Sequence, residues 1–175
     1  MALRLPNVFR RITAEGAFSS AFIPIFLKFF SGSKNKAITF AQEVLYFLII
    51  SITAITCLLQ VLMPLVMYLM AYGFSDDPIK FNLTIIYAQI TAPYILFISL
   101  SSLGVGILNS LGKYSVTSLS PIILNIFLIV ALLLPIKDII LTGYILAFAV
   151  TISGIFQFIL ITVSYTHLTL PTNRE

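Results

Sequence analysis

Five apolar runs occupy almost the whole chain, each long enough to carry a helix across a bilayer, for which about 20 residues suffice. They run from about Leu3 to Phe30, Ile38 to Tyr72, Phe81 to Leu111, Val116 to Leu134 and Ile139 to Val163. Inside hydrocarbon every backbone N–H and C=O must be satisfied within the protein, which leaves helices and closed barrels. Barrel strands alternate polar and apolar residues, and these runs do not. The expected fold is therefore all-α and integral to a membrane, with five transmembrane helices. Composition agrees. Of the 175 residues 59% are hydrophobic and 9% charged, against about 25% charged in soluble domains. A soluble fold of this size could not hide so much apolar surface.

The connections at Ser31–Ala37, Gly73–Lys80, Gly112–Ser115 and Pro135–Asp138 are short. Consecutive helices should then be antiparallel neighbours. Lys28, Lys34 and Lys36 cluster around the first connection and Lys113 sits in the third. The second balances Lys80 with Asp76 and Asp77, and the fourth Lys137 with Asp138. Cationic loops stay on the cytoplasmic side, so the first and third are expected there. The second run exceeds a simple span and must tilt, kink or project beyond the bilayer.

Several functional classes are excluded. A net charge of +4 with no basic patch interleaved with aromatics does not suit nucleic acid. Cys57 is the sole cysteine and His167 the sole histidine, so no internal disulfide and no metal-ligand spacing exist. No Ser/His/Asp set, paired catalytic carboxylates or phosphate-cradling glycine loop supports an enzyme, and nothing implies a cofactor. The opening A-L-R-L-P-N-V-F-R-R lacks the apolar core and cleavage site of a signal peptide. It reads as a start within a larger protein.

Helix breakers lie inside the runs. Pro24, Pro64 and Pro93 each remove a backbone hydrogen bond and should kink their helices. Gly104, Gly106, Gly143 and Gly154 permit close helix approach, as in ordinary membrane packing. Gln60, Gln89, Asn109, Asn125 and Gln157 read as makers of interhelical hydrogen bonds rather than as ligands. Asn109 followed by Gly112 also marks a helix C-terminus.

The charges that fall inside a span stand out. Arg10, Arg11 and Glu15 lie within six residues, in R-R-I-T-A-E-G-A-F. Each intramembrane charge costs about 2.5–3.5 kcal/mol on insertion scales, and such charges usually face a cavity. On a helix Arg11 and Glu15 share a face, four residues apart. Arg10 points about a hundred degrees away and stays free. A free guanidinium in a low-dielectric cavity suits bidentate phosphate binding. From chemistry alone the triplet fits equally well a structural ion pair, or an interfacial segment with snorkelling arginines.

The block L-P-N-V-F-R-R-I-T-A-E-G-A-F-S-S-A-F-I-P resembles the signature of the MurJ/MviN lipid II flippases, the bacterial branch of the multidrug/oligosaccharidyl-lipid/polysaccharide exporter superfamily. G-F-S-D-D-P-I-K-F, T-A-P-Y-I-L-F-I-S-L-S-S-L-G-V-G-I-L-N-S and S-P-I-I-L-N follow in family order, so that the resemblance covers about Leu3 to Leu160. It implies family helices two to six, part of the N-terminal lobe of a fourteen-helix, two-lobed transporter of the bacterial cell membrane. Such a transporter moves the undecaprenyl-pyrophosphate-linked peptidoglycan precursor, lipid II, to the outer leaflet by alternating access. It also implies Arg10 in a central cationic cavity, with Arg11 and Glu15 at flanking substrate-binding positions. The implied partners are lipid II, membrane lipids and the remainder of the flippase chain. On this resemblance the first family helix and everything after the sixth are expected to be missing, so that the chain reads as a fragment of about one third. The end V-S-Y-T-H-L-T-L-P-T-N-R-E does not continue the family pattern. It resembles translated sequencing-adaptor read-through, so residues 1–163 are taken as the lobe segment and residues 164–175 as a polar, non-native tail. The alternative is a genuine short polar terminus. Two other functions compete: a polysaccharide or drug exporter of the same superfamily, and a non-transporting scaffold of cell-wall assembly.

Overall fold

A computed structural model describes residues 7–8, 17–74 and 76–169. Its helices are α1 (Ala17–Gly32), α2 (Lys34–Met70), α3 (Pro78–Thr91), α4 (Pro93–Ser110), α5 (Tyr114–Leu133) and α6 (Ile139–Thr169), with a short 3-10 turn at Tyr72–Phe74. Among the described residues four stretches are long and apolar enough to cross a membrane: Lys34–Met70, Pro78–Ser110, Tyr114–Leu133 and Ile139–Thr166. The first expected span is described from Ala17 onward, where it is a shorter apolar helix.

Local chemistry sets the helix ends. Ser33 stands in extended conformation between α1 and α2. Lys34 and Lys36 therefore belong to the first turn of α2 rather than to a loop. No glycine interrupts the 37 residues of α2, which at 1.5 Å per residue run about 55 Å. That exceeds a hydrocarbon core of about 30 Å, as the length of the run required. Asp77 caps α3: its carboxylate accepts the backbone N–H of Ile79 at 3.1 Å and of Lys80 at 3.2 Å. Pro78 takes the first helical position, where no N–H is needed. Asp138 plays the same part for α6, accepting Ile140 N–H at 2.8 Å. Helix α4 ends in a Schellman motif. Gly112 has φ +74°, the Lys113 N–H reaches Leu108 O at 2.9 Å, and the Gly112 N–H reaches Asn109 O at 3.0 Å. Only glycine adopts that φ without strain, as the Asn109–Gly112 spacing predicted.

The third expected span is two helices in line, broken at Ala92 by Pro93. Pro24 and Pro64 sit within helices that continue through them. Pro121 is a fourth proline inside a span, within α5, and the sequence reading passed over it. Helix α6 continues through Ser164 to Thr169.

Helix α4 is the centre of the packing and touches α1, α2, α5 and α6. One apolar cluster joins α1, α2 and α4 through Phe22, Phe26, Ala37, Ala41, Leu103 and Ile107. A second joins α2 to the α3–α4 break through Met63, Met67, Ala88, Ala92 and Ile95. A third sets Tyr94 and Ile98 of α4 against Val150 of α6. The glycines permit close approach as expected. An added Cβ at Gly154 would lie 2.7 Å from the ring of Tyr94, and one at Gly106 would lie 3.3 Å from Phe22. One at Gly104 would run into Ile161.

Candidate functional site

Arg10, Arg11 and Glu15 lie outside the described residues. What the structure does describe is the scaffold that begins at Ala17, two positions after Glu15 in the sequence. Its rings form a ladder along one face of α1. Phe18, Phe22, Phe26 and Phe30 follow at intervals of four, with successive centroids 5.6, 5.5 and 5.9 Å apart. Phe22 also stacks on Phe40 of α2 at 5.6 Å. Offset aromatic pairs of this kind add about 0.5–1.5 kcal/mol each beyond area burial. The ladder fixes the helix that follows the charged triplet onto α2 and α4.

The polar interior lies on α2, α3, α4 and α6. Gln60 and Gln89 meet across α2 and α3, each donating its side-chain amide to the other's backbone carbonyl. The Gln60 Nε2 to Gln89 O distance is 2.9 Å and the Gln89 Nε2 to Gln60 O distance is 3.2 Å. The reason is in the spacing. A helical carbonyl accepts the N–H four residues on. For Gln60 that residue is Pro64, and for Gln89 it is Pro93. Proline has no N–H, so both carbonyls are freed. In lipid a freed carbonyl must find another partner, and each glutamine satisfies the one that the other helix's proline has left. The break at Pro93 frees a further carbonyl at Ile90, which accepts the Thr151 hydroxyl from α6. The two proline sites are thus tied to each other and to α6.

The remaining lone polar residues divide. Gln157 on α6 is 1% exposed, and its Oε1 accepts the Ser120 hydroxyl of α5 at 3.1 Å. Asn109 Oδ1 accepts the Thr117 hydroxyl at 2.8 Å, bridging α4 and α5 across their connection. The interhelical reading of Gln60, Gln89, Asn109 and Gln157 is met. Asn125 is exposed on α5. Sequence reasoning missed Ser99, Ser101, Ser102, Ser120, Ser153 and Thr151. The first five are buried, and Thr151 makes the bond to Ile90. Two signals could have found this set. One is the Q-x-x-x-P spacing, present at both Gln60 and Gln89. The other is the S-L-S-S run, since small hydroxyl residues mark helix contacts in membranes.

At the start of the Pro78–Ser110 span, Lys80 pairs with Asp77, which precedes it, at 3.0 Å. The hydrogen bond from the Lys80 side chain, with those from the Lys80 and Ile79 amides, holds the Asp77 carboxyl below its ordinary value of 3.8.

The four spanning stretches among the described residues, tied through freed carbonyls and buried hydroxyls, define a multi-pass helical membrane protein. Its kinship is specific. The sequence model of the family described as lipid II flippase MurJ matches residues 1–173. A probable lipid II flippase MurJ from Rhizobium meliloti is 38% identical over 168 residues, which cover 93% of this chain and 31% of the relative. One from Rickettsia prowazekii is 43% identical over 130 residues, covering 74% of the chain and 26% of the relative. The lipid II flippase MurJ of Burkholderia cenocepacia is 32% identical over 162 residues, covering 91% and 31%. The chain belongs to the lipid II flippase MurJ family. It spans about a third of the length of the curated relatives it matches.

Proposed function

We propose that the chain is part of the N-terminal lobe of a lipid II flippase of the bacterial inner membrane. In this reading the whole transporter carries the undecaprenyl-pyrophosphate-linked precursor from the inner to the outer leaflet by alternating access. It moves its cargo without making or breaking covalent bonds, as a transporter rather than an enzyme. The observation that carries the reading is the family match over residues 1–173, with relatives named as lipid II flippases. The interior supports it. Alternating access rocks one lobe against another, and a lobe that moves as a body needs its kinks locked together. The paired bonds between Gln60 and Gln89 lock two proline sites. The α1–α2 junction at Ser33 and the α4–α5 connection at Gly112–Lys113 face the cytoplasm in this reading, on the strength of the lysines at and around them.

Arg10 is proposed to hold the pyrophosphate, with Arg11 and Glu15 beside it. A planar guanidinium grips two phosphate oxygens at once, and an ammonium acts as a point charge. In this reading Glu15 balances Arg11, and loss of Arg11 chiefly leaves an intramembrane carboxylate unpaired.

The test is a chimaera in which this chain replaces the matching segment of a full-length relative, expressed in a flippase-depleted strain. Growth should be restored. Arg10→Ala should abolish it and Arg10→Lys should restore it in part, whereas Arg11→Ala should lower membrane abundance. Normal growth with Arg10→Ala at normal abundance would contradict the assignment of Arg10.

A further inference from the structure

A pocket of about 200 Å³ lies between α4, α5 and α6. Ser101, Ser102 and Gln157 line its inner part, each 1% exposed. Thr117 and Ser118, beside the α4–α5 connection, line its mouth. Ser101 lies two and a half turns, or about 13 Å, further along α4 from the end of that helix. The pocket therefore runs from the loop toward the middle of the span.

Its hydrogen bonding specifies what it holds. The Ser101 hydroxyl donates to Phe97 O at 2.8 Å, Ser102 to Ser99 O at 2.6 Å and Ser118 to Tyr114 O at 2.9 Å. Ser120 donates to Gln157 Oε1, and Thr117 has Asn109 Oδ1 and Tyr114 O as acceptors. Each hydroxyl proton is thus spent on the protein. What the walls still offer is hydroxyl lone pairs, which accept, and the side-chain amide groups of Asn109 and Gln157, which donate. The Gln157 Nε2 has no hydrogen-bond partner among the described residues, although it is buried. A buried donor left unmade costs free energy. Among the described residues no charged side chain lines the pocket. Its occupant must therefore be small and neutral, and must donate and accept at once.

We propose that this pocket is a water-filled crevice, entering at the α4–α5 loop and ending at Gln157. Water meets the requirement on both sides of the hydrogen bond. At about 30 Å³ per molecule the space suits about six waters, and the walls supply the two to four polar partners that each needs.

Cysteine reactivity tests this, because the thiolate is the reacting form and a cysteine in hydrocarbon does not ionise. In a Cys57→Ala background, Ser101→Cys and Ile126→Cys are compared for their rate of reaction with methyl methanethiosulfonate in membranes. Ile126 is exposed on the apolar face of α5. Ser101→Cys should react at least ten-fold faster, and adding Gln157→Leu should slow it by removing the donor at the inner end. Equal rates at Ser101→Cys and Ile126→Cys would overturn the crevice. A second measurement needs no variant. In the unaltered chain in bilayers, magnetisation should transfer from water to the Gln157 side-chain amide in solid-state NMR. A Gln157 amide with no transfer from water would overturn the proposal independently.

Discussion

Helices α4 and α5 are neighbours of similar length and apolar character, and they meet opposite surroundings. In α4 eleven of 18 residues are buried, among them Ser99, Ser101, Ser102 and Gly106. In α5, of 20 residues, Ser120 and Ala131 are buried. The large side chains Ile122, Ile126, Ile129, Val130, Leu132 and Leu133 of α5 are all exposed. In a soluble protein the apolar helix would be the buried one. Here lipid is as apolar as leucine, so hydrophobicity does not drive one helix against another. Close approach of backbones and hydrogen bonds between helices decide what packs. The small and polar residues of α4 therefore turn inward beside its Ile and Leu, and the branched aliphatics of α5 are left exposed.

The comparison breaks most sharply if the helices respond alike to substitution. Ser102→Leu on α4 adds bulk where the residue is 1% exposed. It should cost about 1–3 kcal/mol or more of folding free energy, the range for overpacking. Leu133→Ala on α5, where the leucine is 77% exposed, should stay within about 0.5 kcal/mol. Denaturation in lipid-containing micelles measures both, and equal costs would undo the distinction. Gly154→Ala sharpens it at one contact. The new methyl meets the Tyr94 ring, which is 1% exposed and cannot move aside. Its cost should fall at the lower end of the same range, about 1–2 kcal/mol, in the same assay. The smallest effect belongs to the exposed cap at Asp77. Its carboxyl is held below 3.8. A depressed value means that the charged form is favoured in the folded chain. The cap's contribution is then present above the unfolded value and lost as pH falls through the folded one. Amide-exchange protection at Ile79 and Lys80 should hold at neutral pH and fall once pH drops below 3.8. Asp77→Asn should flatten that dependence, leaving the rest of the helix unchanged.

Much of the fold was legible because membranes impose a simple rule on length. The spans beginning at Lys34, Pro78, Tyr114 and Ile139 follow from apolar runs of sufficient length. The α4 terminus follows from Asn109 and Gly112, where the structure gives Gly112 a positive φ. What was not legible is which face of each run packs. Hydropathy is nearly uniform around these helices, so periodicity carries little information about the interior. Gln60 and Gln89 were recognisable as interhelical bond makers, but their partners were not. Each pairs with a carbonyl, and a carbonyl leaves no mark in sequence except the proline four residues on. The charged triplet at Arg10, Arg11 and Glu15 was legible as a motif, and its geometry lies outside the described residues. Thr151 looks like any threonine in an apolar helix. Its role depends on the break at Pro93 in a helix 58 positions away in sequence.

The central claim is that this interior is held by polar bonds to carbonyls that proline has freed. Gln89→Leu removes the donor to Gln60 O. In a Pro64→Ala background that carbonyl regains its own helical N–H and no longer needs Gln89. A double-mutant cycle therefore isolates the effect. Gln89→Leu should cost up to about 1.7 kcal/mol with Pro64 present, the upper end for polar pairs between membrane helices. It should cost well under half of that with Pro64→Ala. An identical cost in both backgrounds would contradict the account.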